Sequence, residues 1–311
     1  MNKKILICDP ISREAINKLK EHGFYVNEKY DLDKRTLLKI IKDYEIIVVR
    51  SRTKITREII DAASSLEIIA RAGAGLDNID VEYALKRGIK IFSSPNALSN
   101  SVAELTIALI LMLARNLYNA IYTLKSGVWH KHLFKGIEIS GKTLGVIGLG
   151  RIGTYVAIKA KALGMHVIGI KRHDLKTTAS KLGIRPADNL EYLLRNSDFI
   201  SIHVPLLPST YHMINEKSFS IMKNGVYIVN TARGAIIDGK ALLNALENGR
   251  VAGVALDVFE HEPPREPWEW KLINNPRVIA TPHIGSMTEK AQRDAGNIIA
   301  EKIIEYYLHL Q

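Results

Sequence analysis

Leu144-Gly145-Val146-Ile147-Gly148-Leu149-Gly150-Arg151-Ile152-Gly153 decides how the rest of the chain is read. An apolar run of strand length ends in glycines at 148, 150 and 153, and a helix rich in Ala, Val and Ile follows at once. Glycines at this spacing let backbone amides approach a pyrophosphate at the positive end of a helix, the fingerprint of dinucleotide binding. The string alone is weak evidence; its place between a strand and a helix makes it specific, against the plainer reading of a tight strand-to-helix turn. Gly148, Gly150, Arg151, Ile152 and Gly153 are therefore candidate cofactor-binding residues. An NAD site usually carries Asp or Glu about 20 residues further on, to accept from the ribose 2′-hydroxyl. Lys171 stands there, followed by Arg172. Two cations in that place attract a 2′-phosphate, so the expected cofactor is NAD or NADP with a preference for NADP; the alternative is that Asp174 bends back to serve the ribose.

Outward from this loop the chain continues in the same grammar. Apolar runs at 165–170, 199–202, 226–229, 251–256 and 278–280, with helical segments between them, complete a six-stranded Rossmann-type series. Upstream, Ile5-Leu6-Ile7-Cys8, Ile46-Ile47-Val48-Val49 and Leu66-Glu67-Ile68-Ile69 alternate with helices near 11–20 and 56–63. Runs this short and this apolar suit parallel strands covered on both faces. Val102, Leu105, Ala108, Leu109, Met112 and Leu113 predict one long amphipathic helix from Ser99 to about Leu124, capped by Ser99 or Ser101. Thr288 to Leu310 reads as another helix, which needs an apolar surface outside the full second sheet and is expected to return to the first unit. The fold class is therefore α/β with two doubly wound parallel sheets, a Rossmann-type cofactor domain (99–285) inserted into a flavodoxin-like domain (1–98 and 286–311). Two crossings near 98 and 285 allow a hinge.

Composition narrows the function classes. With 47% hydrophobic and 24% charged residues the chain is ordinary for an enzyme and long enough for about two domains. The formal charge of +11 favours anionic partners, but the tightest cluster is only Lys171-Arg172-His173 with Lys176, so nucleic acid is not the expected partner. Cys8 is the single cysteine, which removes a disulfide framework and any zinc cluster built on several thiolates. No apolar run reaches the roughly 18 residues of a membrane span, and a cytoplasmic location is expected.

Three ionisable residues lie just beyond strand ends, where open α/β sheets place their chemistry: Arg233, Glu262 and His283. Their settings are Asn230-Thr231-Ala232-Arg233-Gly234, then Ala255-Leu256-Asp257-Val258-Phe259-Glu260-His261-Glu262-Pro263-Pro264, then Thr281-Pro282-His283-Ile284-Gly285-Ser286. With the glycine loop, these strings resemble the D-isomer-specific 2-hydroxyacid dehydrogenases from about residue 46 onward. The resemblance implies that Arg233 clamps the substrate carboxylate and carbonyl, that His283 gives a proton in reduction and takes one in oxidation, and that Glu262 holds the imidazole. The chemistry agrees, since hydride delivery to a ketone builds negative charge that needs a cation and a proton. It further implies that Asp257 meets the nicotinamide carboxamide, that Thr231, Ala232, Arg233, His283 and Gly285 line the same end of the cofactor, and that His203, Val204, Pro205 and Thr210 lie beside the adenosine.

Val49-Arg50-Ser51-Arg52-Thr53-Lys54 and Ala70-Arg71-Ala72-Gly73-Ala74-Gly75-Leu76-Asp77-Asn78 look like the phosphoglycerate dehydrogenase branch. That likeness makes Arg50 and Arg71 candidates for a phosphate, and Ala74 and Gly75 candidates for offering amides to the substrate carboxylate. Asn96 faces either substrate or the long helix. Lys131 lies in a segment that in this branch packs near a dimer axis, and a homodimer is expected. Lys171 departs from that branch and is more typical of NADPH-using glyoxylate and hydroxypyruvate reductases, which stand as the second reading. A dinucleotide-regulated co-repressor of the same fold is the alternative from another class. No metal is expected. Regulation by serine through a C-terminal domain is not expected either.

Overall fold

The structure, a computed structural model, describes residues 3–309. It divides into two compact units, one made from the residues up to Ser99 and from Ser286 onward, the other from Asn100–Gly285. In the first unit, strands β1 (Lys4–Ile7), β2 (Tyr25–Glu28), β3 (Ile46–Val49), β4 (Ile68–Arg71) and β5 (Lys90–Ser93) form a parallel sheet in the order β2-β1-β3-β4-β5, the flavodoxin-like winding. All four residues of β3 are buried, because helices cover both faces and the strand has no polar side to show. The edge strand β2 is half exposed and reads Tyr-Val-Asn-Glu, which gives no apolar run. The helix Glu289–Leu308, capped by the Thr288 hydroxyl on the Ala291 N–H, places Ile299, Ala300, Ile303 and Ile304 in this unit's core.

The second unit holds β6 (Thr143–Ile147), β7 (His166–Ile170), β8 (Arg185–Pro186), β9 (Phe199–Ile202), β10 (Val226–Asn230), β11 (Val251–Leu256) and β12 (Val278–Ala280), all parallel, in the order β12-β11-β10-β9-β6-β7-β8. This is the Rossmann winding with one more strand than the apolar runs predicted. The addition, β8, is a two-residue edge that pairs only with Ile168 and Gly169. The carboxyl ends of β6, β10, β11 and β12 carry the glycine loop, Arg233, Glu262 and His283 in that order.

Two expectations need correction. The single helix from Ser99 to Leu124 is two: Pro95–Ala114 and Leu117–Lys125, separated at Asn116, whose backbone is left-handed (φ 48°). Asparagine tolerates that conformation, and it ends the first helix. The first helix begins at Pro95, whose missing N–H is harmless in a first turn. Ser99 and Ser101 therefore lie inside it; their hydroxyls donate to the carbonyls of Pro95 (3.0 Å) and Gly285 (2.7 Å) instead of capping. The same helix is long and apolar enough to cross a membrane by length and composition, contrary to the reading of uninterrupted runs. Scattered Ser, Asn and Thr hid it, and more than half of the stretch is buried inside the protein, with Leu109, Ile110 and Leu113 in the second unit's core.

Candidate active site

The glycine loop has the geometry of a phosphate cradle. Gly148 has φ +99°, and a Cβ there would come within 2.6 Å of the His203 carbonyl oxygen. A Cβ on Gly153 would come within 2.0 Å of the Gly148 carbonyl oxygen, so the turn closes only without side chains. Gly150 faces open space and starts the twelve-residue helix Arg151–Ala162, whose N-terminus no side chain caps. The donors at that end and the helix dipole fit a pyrophosphate.

Beyond β7, the Lys171 ammonium donates to the Thr178 hydroxyl at 3.1 Å, while Arg172, His173 and Asp174 are exposed. Asp174 is left-handed (φ 52°), and its side chain does not cap the helix Leu175–Leu182 that it precedes. The loop after β9 is shaped by its own groups. Thr210 donates to the Pro205 carbonyl (2.7 Å) and accepts from the Leu207 N–H (2.8 Å). Both ring nitrogens of His203 are buried without a hydrogen-bond partner among the described residues, and burial pushes the imidazole down to about 3. His203 is thus a neutral ring turned into the protein, with its backbone against Gly148.

At the end of β10, fully buried Asn230 organises the elbow that carries Arg233. Its Oδ1 accepts from the Ala232 N–H (3.0 Å) and its Nδ2 donates to the Arg233 carbonyl (2.9 Å). The Arg233 Nη1 donates to the Ala232 carbonyl at 2.6 Å. Thr231 is buried and shares a 3.0 Å hydrogen bond with Thr106.

At the end of β11, Asp257 is 1% exposed and accepts from the Thr281 hydroxyl (2.6 Å) and the N–H groups of Ile284 (2.8 Å) and Gly285 (2.8 Å). Those three donors bracket His283, which sits in the left-handed region (φ 54°). A non-glycine residue there is strained and persists only when its surroundings hold it; the Asp257 carboxylate does that. His283 Nδ1 meets Glu262 Oε2 at 2.7 Å, and Glu262 Oε1 accepts from the Phe259 N–H at 3.2 Å. The hydrogen bond to Glu262 raises the His283 imidazole above its ordinary value; burial and the nearby Arg233 charge oppose this, while the Glu262 and Asp257 charges add to it. The structure thus brings Arg233, Glu262, His283 and Asp257 together at one sheet edge.

In the first unit, Arg50 and Arg71 follow β3 and end β4. The buried Asp9 carboxylate accepts from the Arg50 N–H (2.6 Å), the Thr53 hydroxyl (2.9 Å) and Arg52 Nε (3.1 Å), and Asn78 donates to the Arg50 and Thr53 carbonyls. The Arg50 guanidinium contacts the Met287 sulfur at 3.4 Å. The Arg71 guanidinium lies on Gly73, where a Cβ would meet it at 1.3 Å. Ala74 and Asn96 are exposed, as is Lys131 in a short 3₁₀ turn, Lys131–Phe134. Asp9, Asn78 and Asn230 were missed as organisers; for Asp9 and Asn230 a carboxylate or amide directly after an apolar run was the available signal.

A family model described as the NAD binding domain of the D-isomer specific 2-hydroxyacid dehydrogenases matches residues 107–285. The chain is 49% identical over 300 residues to the D-3-phosphoglycerate dehydrogenase of Methanocaldococcus jannaschii, covering 96% of this chain and 56% of that protein. It is 46% identical over 302 residues to the hydroxypyruvate reductase of Thermotoga maritima, covering 97% of both. The chain spans little more than half the length of several curated relatives it matches. Among solved structures, a glyoxylate reductase from Paecilomyes thermophila superposes with a TM-score of 0.88 at 37% identity, covering 97% of this chain and 94% of that one.

Proposed function

This chain belongs to the D-isomer specific 2-hydroxyacid dehydrogenases, and on that premise we propose that it interconverts a D-2-hydroxy acid and its 2-oxo acid with a nicotinamide dinucleotide. The observation that carries the reading is the 2.7 Å contact of His283 Nδ1 with Glu262, within reach of the Arg233 charge. Residues 148–153 would hold the pyrophosphate. A nicotinamide held there would supply or accept the hydride. His283, with Nδ1 engaged by Glu262, exchanges a proton with the substrate oxygen at Nε2. Arg233 offers a planar fork to the carboxylate and a positive charge to the developing oxyanion.

The first substrate reading is 3-phosphoglycerate and 3-phosphohydroxypyruvate, with Arg50 and Arg71 taking the phosphate. It is supported by the relatives named D-3-phosphoglycerate dehydrogenase. A second reading, an NADPH-preferring hydroxypyruvate or glyoxylate reductase, is favoured by Lys171 and Arg172 in the usual place of an acidic side chain. Following nicotinamide absorbance while crossing NADH and NADPH with phosphohydroxypyruvate, hydroxypyruvate and glyoxylate separates them. A kcat/KM preference for the phosphorylated acid supports the first, preference for the unphosphorylated acids with NADPH supports the second, and no turnover of any combination removes both.

The reading includes a homodimer. No residue of the helix Leu117–Lys125 is buried, and it presents Leu117, Tyr118, Ile121, Tyr122 and Leu124 to solvent beside Trp129 (78% exposed) and Leu133 (68%). An apolar surface of this kind marks an interface. Sedimentation equilibrium should give twice the 34.8 kDa chain mass; a monomer mass at assay concentration would remove the dimer.

A further inference from the structure

Glu262 closes a run of three residues, each of which is half of an imidazole–carboxylate pair. Glu260 is bonded to His212 Nε2, His261 Nδ1 meets Glu269 Oε2 at 3.0 Å, and Glu262 meets His283 at 2.7 Å. The partners arrive from separate places: His212 from the segment between β9 and β10, Glu269 from the helix Pro267–Ile273, and His283 from the loop after β12.

The pairs of Glu260 and His261 are anchored more firmly than that of Glu262. Glu269 is 1% exposed and also accepts the backbone N–H groups of His261 (3.1 Å), Arg265 (2.9 Å) and Glu266 (3.0 Å). Its two oxygens thus hold the chain on both sides of Glu262. His212 stacks on Tyr211, with ring centroids 4.0 Å apart, and its N–H donates to the Ala235 carbonyl at 2.9 Å, two residues beyond Arg233. The run itself lies on Gly234, where a Cβ would come within 1.9 Å of the Phe259 carbonyl carbon. By contrast, the side chains of His283 and Glu262 are 40% and 39% exposed. A pair that open to water contributes little to its own geometry, because solvent competes for both groups. The aim of the Glu262 carboxylate has to come from its backbone.

We propose that Glu269 and His212 are positioning residues that clamp the run Glu260–Glu262 from opposite sides and hold the Glu262 carboxylate at the Nδ1 face of His283. The inference rests on the reading of His283 as the proton donor. Glu269→Gln keeps the volume but turns an amide N–H₂ toward N–H donors, which loosens the segment on both sides of Glu262. Glu260→Gln weakens the bond to His212 at a partly exposed position and is the variant least able to prevent folding.

The charged groups facing His283 are Glu262, Asp257 and Arg233, and the clamp variants disturb only the first. The test follows the His283 imidazole by NMR pH titration in the full chain, in parallel with the pH profile of kcat/KM for 2-oxo acid reduction. Glu262→Gln should lower the titration midpoint by about one unit or more, the ordinary scale for losing a close opposite charge, and each clamp variant should show roughly half of that drop. The alkaline limb of the reduction profile should move down by the same amount. Unchanged midpoints in Glu269→Gln and Glu260→Gln, with only a lower melting temperature, would overturn the clamp. If Glu269→Gln does not fold, Glu260→Gln decides. The titration needs no substrate, so shifted midpoints in a protein that turns over no 2-oxo acid support the clamp and overturn only the reductase reading.

Discussion

Replacing His283 by alanine is expected to lower turnover in 2-oxo acid reduction by about a hundredfold or more, the usual scale for losing a general acid. Dinucleotide affinity should fall far less than turnover, because the pyrophosphate cradle at 148–153 is built by backbone on a separate strand end. The pH dependence follows from the same contact. The Glu262 hydrogen bond raises the His283 imidazole above its ordinary value, so the protonated form persists to higher pH. Reduction needs that form and falls as pH rises through the raised value; oxidation needs the neutral ring and rises through it. Turnover measured across pH in both directions should therefore show limbs of opposite sign with one midpoint, and Glu262→Gln should carry both to lower pH. Loss of less than about tenfold in His283→Ala, across several 2-oxo acids and both dinucleotides, would remove His283 from the proton-transfer role.

The fold was readable wherever a strand is buried on both faces. β3 and β9 have four buried residues each and stand out as β-branched or apolar runs. Two edge strands, β2 and β8, did not stand out, because they have a polar or two-residue composition that no periodicity distinguishes from loop, whereas the edge strand β12 was legible as the apolar run 278–280. The long helix was found but misdrawn. Its break at Asn116 depends on a single left-handed residue, and its start on Pro95, which follows the strand end closely enough to read as a turn. The return of the helix Glu289–Leu308 was inferred from an apolar stripe with no surface left for it in a full sheet, and Ile299, Ala300 and Ile303 do enter the first unit's core.

The site divides the same way. Arg233, Glu262 and His283 are legible because open α/β sheets put chemistry beyond strand ends and because the strings around them resemble a known family. The groups that hold them are not legible. Asp257 reads as a cofactor contact only, and that reading does not reveal that its carboxylate also grips Thr281, Ile284 and Gly285 around a strained His283. Glu269 and His212 sit far from their partners' motifs or in helix and loop positions where a charged residue is unremarkable. His212 acquires its role only once it is packed against Glu260, 48 residues away, and Glu269 only once its helix folds back on His261, eight residues away; no spacing rule encodes either.

Arg233→Ala is expected to lower kcat/KM by roughly a thousandfold, the scale of removing a preformed donor from a developing oxyanion together with a charge-assisted fork on the carboxylate. Because one guanidinium serves both ground state and transition state, KM should rise while kcat falls. The elbow makes this cost local. Asn230 holds the Ala232 N–H and the Arg233 carbonyl whatever side chain stands at 233, so the backbone should survive the change. Arg233→Lys should recover only part of the loss, since an ammonium restores charge without the planar pair of donors. A fall in kcat with KM unchanged would argue against the carboxylate clamp. The residual activity carries a second signature. The Arg233 charge opposes protonation of His283, so in Arg233→Ala the imidazole should hold its proton to still higher pH. The alkaline limb of residual reduction should then move up, opposite to its movement in Glu262→Gln. If the two variants shift that limb in the same direction, Arg233 and Glu262 are not acting on one imidazole, and the arrangement argued for this site fails at its centre.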